Sequence, residues 1–212
     1  MRLFVSTAEM GYEKIKETIQ KYENVELRLD LLELSDKQYE DILSKHKSLI
    51  VTCRKTQENK DKRVGYLLKA VENDVDYIDI DIMSKKNIIK NMKKNMKKSN
   101  TQLIISFHDY NNTPKDMYLK KIIKKALNMG ADFVKIATNI KSNSDMIRLL
   151  NLARNNNVIP VGMGDRGKIS RIINSLADVP IVYTSIENKT TAEGQINYEI
   201  LKDILERIKK IE

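Results

Sequence analysis

The stretch LIISFHDYNNTPKDMYLKKIIKKALNMGADFVKIAT, residues 103–138, decides the fold. Its two ends are short runs rich in Ile, Phe and Val, the composition of buried strands. Its middle, PKDMYLKKIIKKALNMG over 114–130, sets Leu, Ile and Ala at helical spacing with lysines between them. Thr113-Pro114 reads as a cap with a proline in the first helical turn, and Gly130 as the helix stop. A strand, a helix and a second strand of this length point to parallel pairing.

The unit recurs along the whole chain. Strand-like runs begin near Leu3, Val25, Leu49, Tyr77, Leu103, Phe133, Val158 and Ile181, at spacings of 22, 24, 28, 26, 30, 25 and 23 residues. Helical patterns fill the intervals, and INYEILKDILERIKK follows the last run. Ser144 reads as the cap of a helix beginning at Asp145. Eight alternations predict a single-domain (β/α)8 TIM barrel over residues 1–212. A doubly wound open sheet is the rival, but no glycine-rich phosphate fingerprint follows the first strand.

Composition narrows the classes. The chain has 212 residues, 41% hydrophobic and 32% charged, which suits a globular fold. No apolar run approaches the roughly 18 residues of a membrane span. MRLFVSTAEMGYEK is too short in its apolar part for a signal peptide. The lone Cys53 cannot form an internal disulfide, which fits a reducing cytoplasm. The net charge is +9, and much of the excess lies in KKNIIKNMKKNMKKSN (85–100) and YLKKIIKKALN (118–128). These lysines interleave with Ile, Met and Leu as solvated helix faces do. Few aromatics accompany them and no DNA- or RNA-binding motif appears, so neither a nucleic-acid nor a membrane partner is expected.

Side chains alternate across a strand. In ELRLDLL, Leu27, Leu29 and Leu31 oppose Glu26, Arg28 and Asp30. In YIDIDIM, Ile78, Ile80 and Ile82 oppose Asp79 and Asp81. Thr52 and Arg54 share a face with Ile50, Ser106 falls with His108, and Lys135 falls with Phe133 and Ala137. Helices cover a barrel's outside, so the aliphatic face points outward and the charged face inward. The charges cluster toward the strands' C-terminal ends, where barrel enzymes keep their sites. A structural ion pair of Asp79 or Asp81 with Arg28 or Arg54 is one outcome. So many buried charges contribute little to stability, which favours a binding or catalytic site. A lysine desolvated in an apolar strand, with a histidine nearby, suits imine chemistry on a carbonyl compound. On this reading Phe133, Ile136 and Ala137 dry the amine, and His108 keeps a near-ordinary pKa.

At this point the residues resemble a known family, the type I 3-dehydroquinate dehydratases. The matching segments are ELRLD (26–30), TCRKTQE (52–58), DYIDID (76–81), SFHDYNNTP (106–114), ADFVKIA (131–137), GMGDRGKISR (162–171) and AEGQI (192–196). The resemblance implies a class I aldolase-like barrel, usually a homodimer. It would dehydrate 3-dehydroquinate in the shikimate pathway without metal or cofactor. By position, Lys135 matches the imine-forming lysine, His108 the acid/base histidine and Glu58 the carboxylate that orients it. Glu26, Arg28 and Arg54 match groups on the substrate's hydroxyl side, and Arg171 the arginine that holds its carboxylate. Thr191 and Gln195 fall on the closing loop, and Ser6 is a weaker match at the end of the first strand. Three departures stand out: Asn59-Lys60 where two glycines are common, Glu193 for the usual proline, and Thr191 for the usual serine.

Other residues read more plainly. His46 sits near a helix end at the surface, and Cys53 is buried filler. Met163 lies beside the mouth. Asp165 with Asp79 and Asp81 lacks the His or Cys partners of a transition-metal site. The enzymatic alternative is an imine-forming aldolase or transaldolase on a sugar phosphate, with GMGDRG as its phosphate loop. A basic nucleic-acid-binding protein is a second alternative, and it leaves Lys135 and His108 unexplained.

Overall fold

A computed structural model describes every residue except 9, 46–47, 57–61, 187–190, 192 and 212. The expectations for His46 and for Glu58, Asn59 and Lys60 therefore lie outside the described residues. Strand and helix alternate as β1 (Arg2–Thr7), α1 (Tyr12–Lys21), β2 (Val25–Arg28), α2 (Asp36–Lys45), β3 (Leu49–Thr52), α3 (Arg63–Glu72), β4 (Tyr77–Asp81) and α4 (Lys86–Met96). The order continues with β5 (Gln102–Asp109), α5 (Asp116–Asn128), β6 (Phe133–Asn139), α6 (Asn143–Leu150), β7 (Val158–Met163), α7 (Ile169–Leu176), β8 (Ile181–Thr184) and α8 (Tyr198–Lys209). Strands β2 to β4 and β6 to β8 begin where the apolar runs begin; β1 and β5 start one residue earlier, at Arg2 and Gln102.

All the ladders are parallel, and the strands are joined in the order β7-β6-β5-β4-β3-β2-β1-β8. This is a (β/α)8 barrel. Among the described residues no ladder joins β7 to β8. Side chains of α7 bridge that seam instead. Arg171 donates from Nη1 to the Gly162 carbonyl of β7 at 2.7 Å and from Nε to the Tyr183 carbonyl of β8 at 3.3 Å. Asn174 donates to the Pro160 carbonyl at 2.6 Å.

The expected faces hold for most of each strand. Val51, Ile78, Ile80, Ile105, Val134 and Ile136 pack outward against the helices, in one large core. Phe4, Ile50, Tyr77, Ile104, Ile159 and Tyr183 fill the barrel itself. Its N-terminal end is closed by rings: Tyr77 meets Phe4 and Phe133 edge-on, each at 5.9 Å. Arg2 lies over the Tyr77 ring and pairs with Asp76 at 2.5 Å. With that end plugged by the rings and the Arg2–Asp76 pair, the cavity lies at the C-terminal end.

Four local expectations are corrected. Alternation in ELRLDLL stops at Arg28, because residues Leu29–Leu31 form a single 3₁₀ turn; Leu31 is exposed rather than outward-packed. Ile136 faces the helices, so it does not dry the Lys135 amine. Thr113 does not cap α5, which starts at Asp116. Its buried hydroxyl donates to the Asn139 carbonyl at 2.9 Å and so ties the β5–α5 loop to β6. The cap of α6 is Ser142 rather than Ser144, in a reciprocal capping box with Asp145. Gly130 does end α5, with φ of 92°.

Candidate active site

A cavity of about 290 Å³ opens at the C-terminal ends of the strands. Lys135 and His108 line it from β6 and β5, whose register pairs Ser106 with Lys135 and His108 with Ala137. Glu26, Arg28 and Arg54 face it from β2 and from just beyond β3. Arg171, Thr191 and Gln195 complete the opposite wall, with Met163 beside them. Eight of the ten residues singled out from sequence thus share one cavity. Ser6 stands behind its wall, and Glu58 lies outside the described residues.

Lys135 is buried among charges. Its Nζ is 3.5 Å from Asp79 and 3.7 Å from Glu26, and 3.7 Å above the centre of the Tyr183 ring. Burial pulls the amine below the ordinary lysine pKa, and the Arg54 and Arg28 charges add to that. Glu26 and Asp79 oppose it. Asp79 is itself held by the Ser106 hydroxyl at 2.6 Å and by Arg54 at 3.4 Å. Burial would raise its pKa, but Arg54, Lys135 and His108 outweigh that and bring it down to about 2. Asp79 is therefore a fixed anion beside an amine whose pKa burial lowers. In the sequence Asp79 reads as one of the inward charges, by alternation with Ile78 and Ile80, and as one side of a candidate structural ion pair, without a role of its own in the site.

His108 differs from the expectation. Arg54 comes within 3.0 Å of Nε2, so that nitrogen accepts and the ring is neutral. Burial, then the Arg54 and Lys135 charges, drives the imidazole well below its ordinary pKa. Among the described residues Nδ1 has no hydrogen-bond partner and lies 3.9 Å from Asp81. The Tyr110 ring stacks on the imidazole at 5.9 Å and lines the mouth; nothing in the apolar pattern marked it.

A hydrogen-bonded chain runs from the loop after β8 to the lysine's counter-ion. Gln195 receives the Thr191 backbone N–H at 2.7 Å and donates to the Ser6 hydroxyl at 3.3 Å. Ser6 donates to Glu26 at 2.5 Å, and Thr52 donates to its other oxygen at 2.9 Å. Arg28 reaches the Thr191 carbonyl at 3.4 Å, while Asp30 grips its guanidinium at 2.7 and 3.1 Å. Glu193 also lines the cavity. Its neighbour Gly194 (φ 81°) lies so close to Gly164 that a Cβ would sit 2.5 Å from the Gly164 carbonyl oxygen. The loop is docked there by backbone contact that only glycine permits.

Arg171 is nearly solvent-free, and burial lowers its pKa to about 10, high enough to keep it cationic at neutral pH. Besides its two carbonyl contacts it faces the cavity with no carboxylate paired to it among the described residues. The glycines of GMGDRG are spent on packing. A Cβ on Gly167 would sit 2.4 Å from the Gly162 carbonyl carbon, and the Gly162 N–H is taken by Ser170 at 3.0 Å. Asp165 stands on the surface with Lys168, away from Asp79 and Asp81. Cys53 is buried, and burial pushes its thiol up to about 12, as filler rather than nucleophile.

A parallel barrel with a cavity framed by buried charges at the C-terminal ends of its strands has the architecture of a barrel enzyme. Comparison with known proteins narrows this: the type I 3-dehydroquinase family matches residues 2–212, and the chain belongs to that family. The 3-dehydroquinate dehydratase of Methanococcus maripaludis strain C5 is 33% identical over 202 residues, covering 91% of each chain. A solved 3-dehydroquinate dehydratase from Aquifex aeolicus VF5 is 27% identical with a TM-score of 0.79, covering 99% of this chain and 98% of its own. A type I enzyme from Clostridium difficile, at 21% identity and a TM-score of 0.83, shares the fold over 100% of this chain and 93% of its own.

Proposed function

We propose that the chain dehydrates 3-dehydroquinate to 3-dehydroshikimate through an imine on Lys135, with His108 as acid and base. The observation that carries the reading is the dry, charge-framed Lys135 amine sharing a 290 Å³ cavity with His108 on the adjacent strand. The substrate is a small carboxylate with one ketone, and the cavity is at the lower end of the usual small-molecule range.

The neutral amine adds to the C3 ketone, and loss of water gives an iminium. The iminium draws electrons from the adjacent C2–H bond, so His108 can take that proton and leave an enamine. The enamine pushes out the C1 hydroxyl, which leaves as water with the proton from His108. Water then hydrolyses the product imine and frees Lys135. One water is taken up and two are released, a net dehydration. The low His108 pKa keeps the ring neutral before the first step and makes it a strong donor in the second, at the cost of weaker basicity toward the C2 proton. Arg54 must yield Nε2 for the first transfer. Glu58 is assigned to orient the ring, following the resemblance.

Arg171 would take the substrate carboxylate in its planar fork. Glu26, Arg28 and Arg54 would meet the hydroxyls, and Thr191 and Gln195 would close over them. Ser6 acts through Glu26 rather than by touching substrate. The rival sugar-phosphate reading is weakened because the GMGDRG glycines pack on one another and offer no open phosphate cradle. Two expectations remain as proposals: a homodimer, checked by light scattering, and a cytoplasmic setting, in keeping with the single reduced Cys53.

Borohydride reduction with dehydroquinate present should fix one substrate-derived adduct on the peptide containing Lys135. Turnover without that adduct overturns the mechanism. An adduct formed only with sugar phosphates overturns the substrate.

A further inference from the structure

The net charge of +9 is not spread over the surface. Residues 85–128 hold twelve lysines and two aspartates, a net +10, while the rest of the chain carries 26 basic and 27 acidic residues, a net −1. A general enrichment in lysine would have raised both parts. The whole excess therefore sits on α4, α5 and the segments that flank them.

These lysines also differ from the others in their surroundings. On α1, Lys14 pairs with Glu17 at 3.1 Å and Lys16 with Glu13 at 3.2 Å. Lys45 on α2 pairs with Asp41 at 2.5 Å, and Arg207 on α8 with Asp203 at 2.8 Å. Among the described residues, Lys93 alone of the twelve has an ion pair, with Asp132 at 3.4 Å. The rest repeat at positions such as Lys86–Lys90 and Lys120–Lys124, where like charges repel along a helix. Such a breach of local consistency, with no compensating partner inside the molecule, is a mark of function.

The geometry gives the charge a shape. A groove of about 930 Å³ lies between the helices, lined by Lys86, Lys90 and Lys93 from α4 and by Lys121, Lys124 and Lys125 from α5. A second cavity of about 740 Å³ shares Lys90 and Lys93 with it and continues past Lys94 and Lys97. Asp132 is the only acidic residue in either lining among the described residues. Ile89, Met96 and Met129 form apolar floor, and Asn87, Asn91 and Asn128 offer side-chain amides.

We propose that this groove docks a carboxylate-rich segment of another protein, with acidic side chains along an apolar stripe. A second copy docked through the same face does not fit, since it would bring another +10 against the first. A nucleic acid fits less well, because among the described residues the linings contain no aromatic ring for a base and no arginine fork for a phosphate. Lysine ammoniums on apolar stems, over Ile and Met, suit carboxylates that flank leucines.

The test uses the full chain and a fluorescein-labelled peptide of about 20 residues, with glutamates flanking a leucine stripe at helical spacing. Anisotropy should show saturable binding that weakens as salt rises. The variant K90E/K121E/K124E/K125E should bind at least about tenfold more weakly, with melting temperature and turnover unchanged, since none of these residues is near the barrel mouth. K14E/K202E/K209E, on the balanced face, should bind like the parent. Absence of saturable binding, or equal binding by the K90E set, overturns the proposal. So does tighter binding of single-stranded DNA or an anionic vesicle than of the peptide at matched charge. If the K90E set fails to fold, the milder K90Q/K121Q/K124Q/K125Q set gives the same reading.

Discussion

The two sides of the barrel are built differently. On one side β5 and β6 run in register through six pairs, from Ile104 with Phe133 to Asp109 with Thr138, and carry His108 and Lys135. On the other side β7 and β8 share no ladder among the described residues, and the guanidinium of Arg171 spans the gap. The proposed reacting pair thus sits where backbone hydrogen bonds fix every side chain's height. The proposed anion holder sits where the backbone leaves room for a side chain to enter from outside the sheet. Reaction geometry needs the first arrangement, because small misplacements of reacting atoms are costly. Carboxylate binding needs a cation whose N–H groups point past the strands, and a closed ladder would block it.

The largest effect should follow from Lys135→Ala. Loss of the nucleophile should cut kcat by roughly 10⁶, the scale on which enzymes lose a reacting group. Borohydride should then leave no adduct, and substrate should still bind by equilibrium dialysis. If Lys135→Ala retains turnover within about tenfold of the parent, the assignment of chemistry to the β5–β6 wall is wrong.

Arg171→Ala should do two things at once. It removes the carboxylate fork, so KM should rise far more than kcat falls. It also strands two buried carbonyls, at about 1–3 kcal/mol each, so urea denaturation should show about 2–6 kcal/mol less stability. Arg171→Lys keeps the charge but cannot reach Gly162 and Tyr183 together, and should recover only part of either loss. An Arg171→Ala protein as stable as the parent would mean the seam is held some other way.

The contrast also shows which parts of the molecule the sequence reveals. Strand starts were legible because Val25, Leu49, Tyr77, Phe133, Val158 and Ile181 each open a local apolar run. The inward set of Glu26, Asp79, Ser106, His108 and Lys135 followed from alternation, which is also local. The seam was not legible, since a missing ladder depends on two strands that meet only after the barrel closes. The state of His108 was not legible for the same reason. Arg54 reaches it from beyond β3, at 54 residues' separation, and turns an imidazole expected near its ordinary pKa into a buried neutral ring. Tyr183 carries no local signal of its role in IVYT, and only the fold puts its ring under the Lys135 amine.

The third effect is a pH dependence that belongs to the wall alone. The folded His108 pKa lies well below 6.5, so below pH 6.5 the unfolded chain binds the extra proton first. Stability is then complete above 6.5 and falls as pH drops through the window below it, by up to about 1.4 kcal/mol per pH unit. Urea midpoints for the parent and His108→Gln, compared at about pH 7.5 and 5.5, should differ in slope. The variant should be the flatter of the two. Parallel slopes would mean that His108 binds its proton equally well in the folded and unfolded chain. Arg171→Lys should leave this slope in place, because no seam residue described here titrates in that range.

The smallest effect concerns the ring shared by both sides. Tyr183 belongs to the seam through its carbonyl and to the wall through its ring, 3.7 Å from the Lys135 ammonium. Its hydroxyl is buried and without a partner among the described residues, and burial holds it well above the ordinary tyrosine pKa. A polar group in that position costs stability. Tyr183→Phe should therefore leave kcat within about twofold and raise stability by about 1 kcal/mol. Tyr183→Leu also removes the ring face that favours the charged amine, a contact of about 1–2 kcal/mol when desolvated, and should lower the pH at which Lys135 becomes reactive. Trinitrobenzenesulfonate labelling of Lys135 against pH reads that shift without substrate. If Tyr183→Phe is instead destabilising, the hydroxyl donates to a bound molecule in the cavity. The ring would then belong to the substrate's binding surface and not merely to the lysine's.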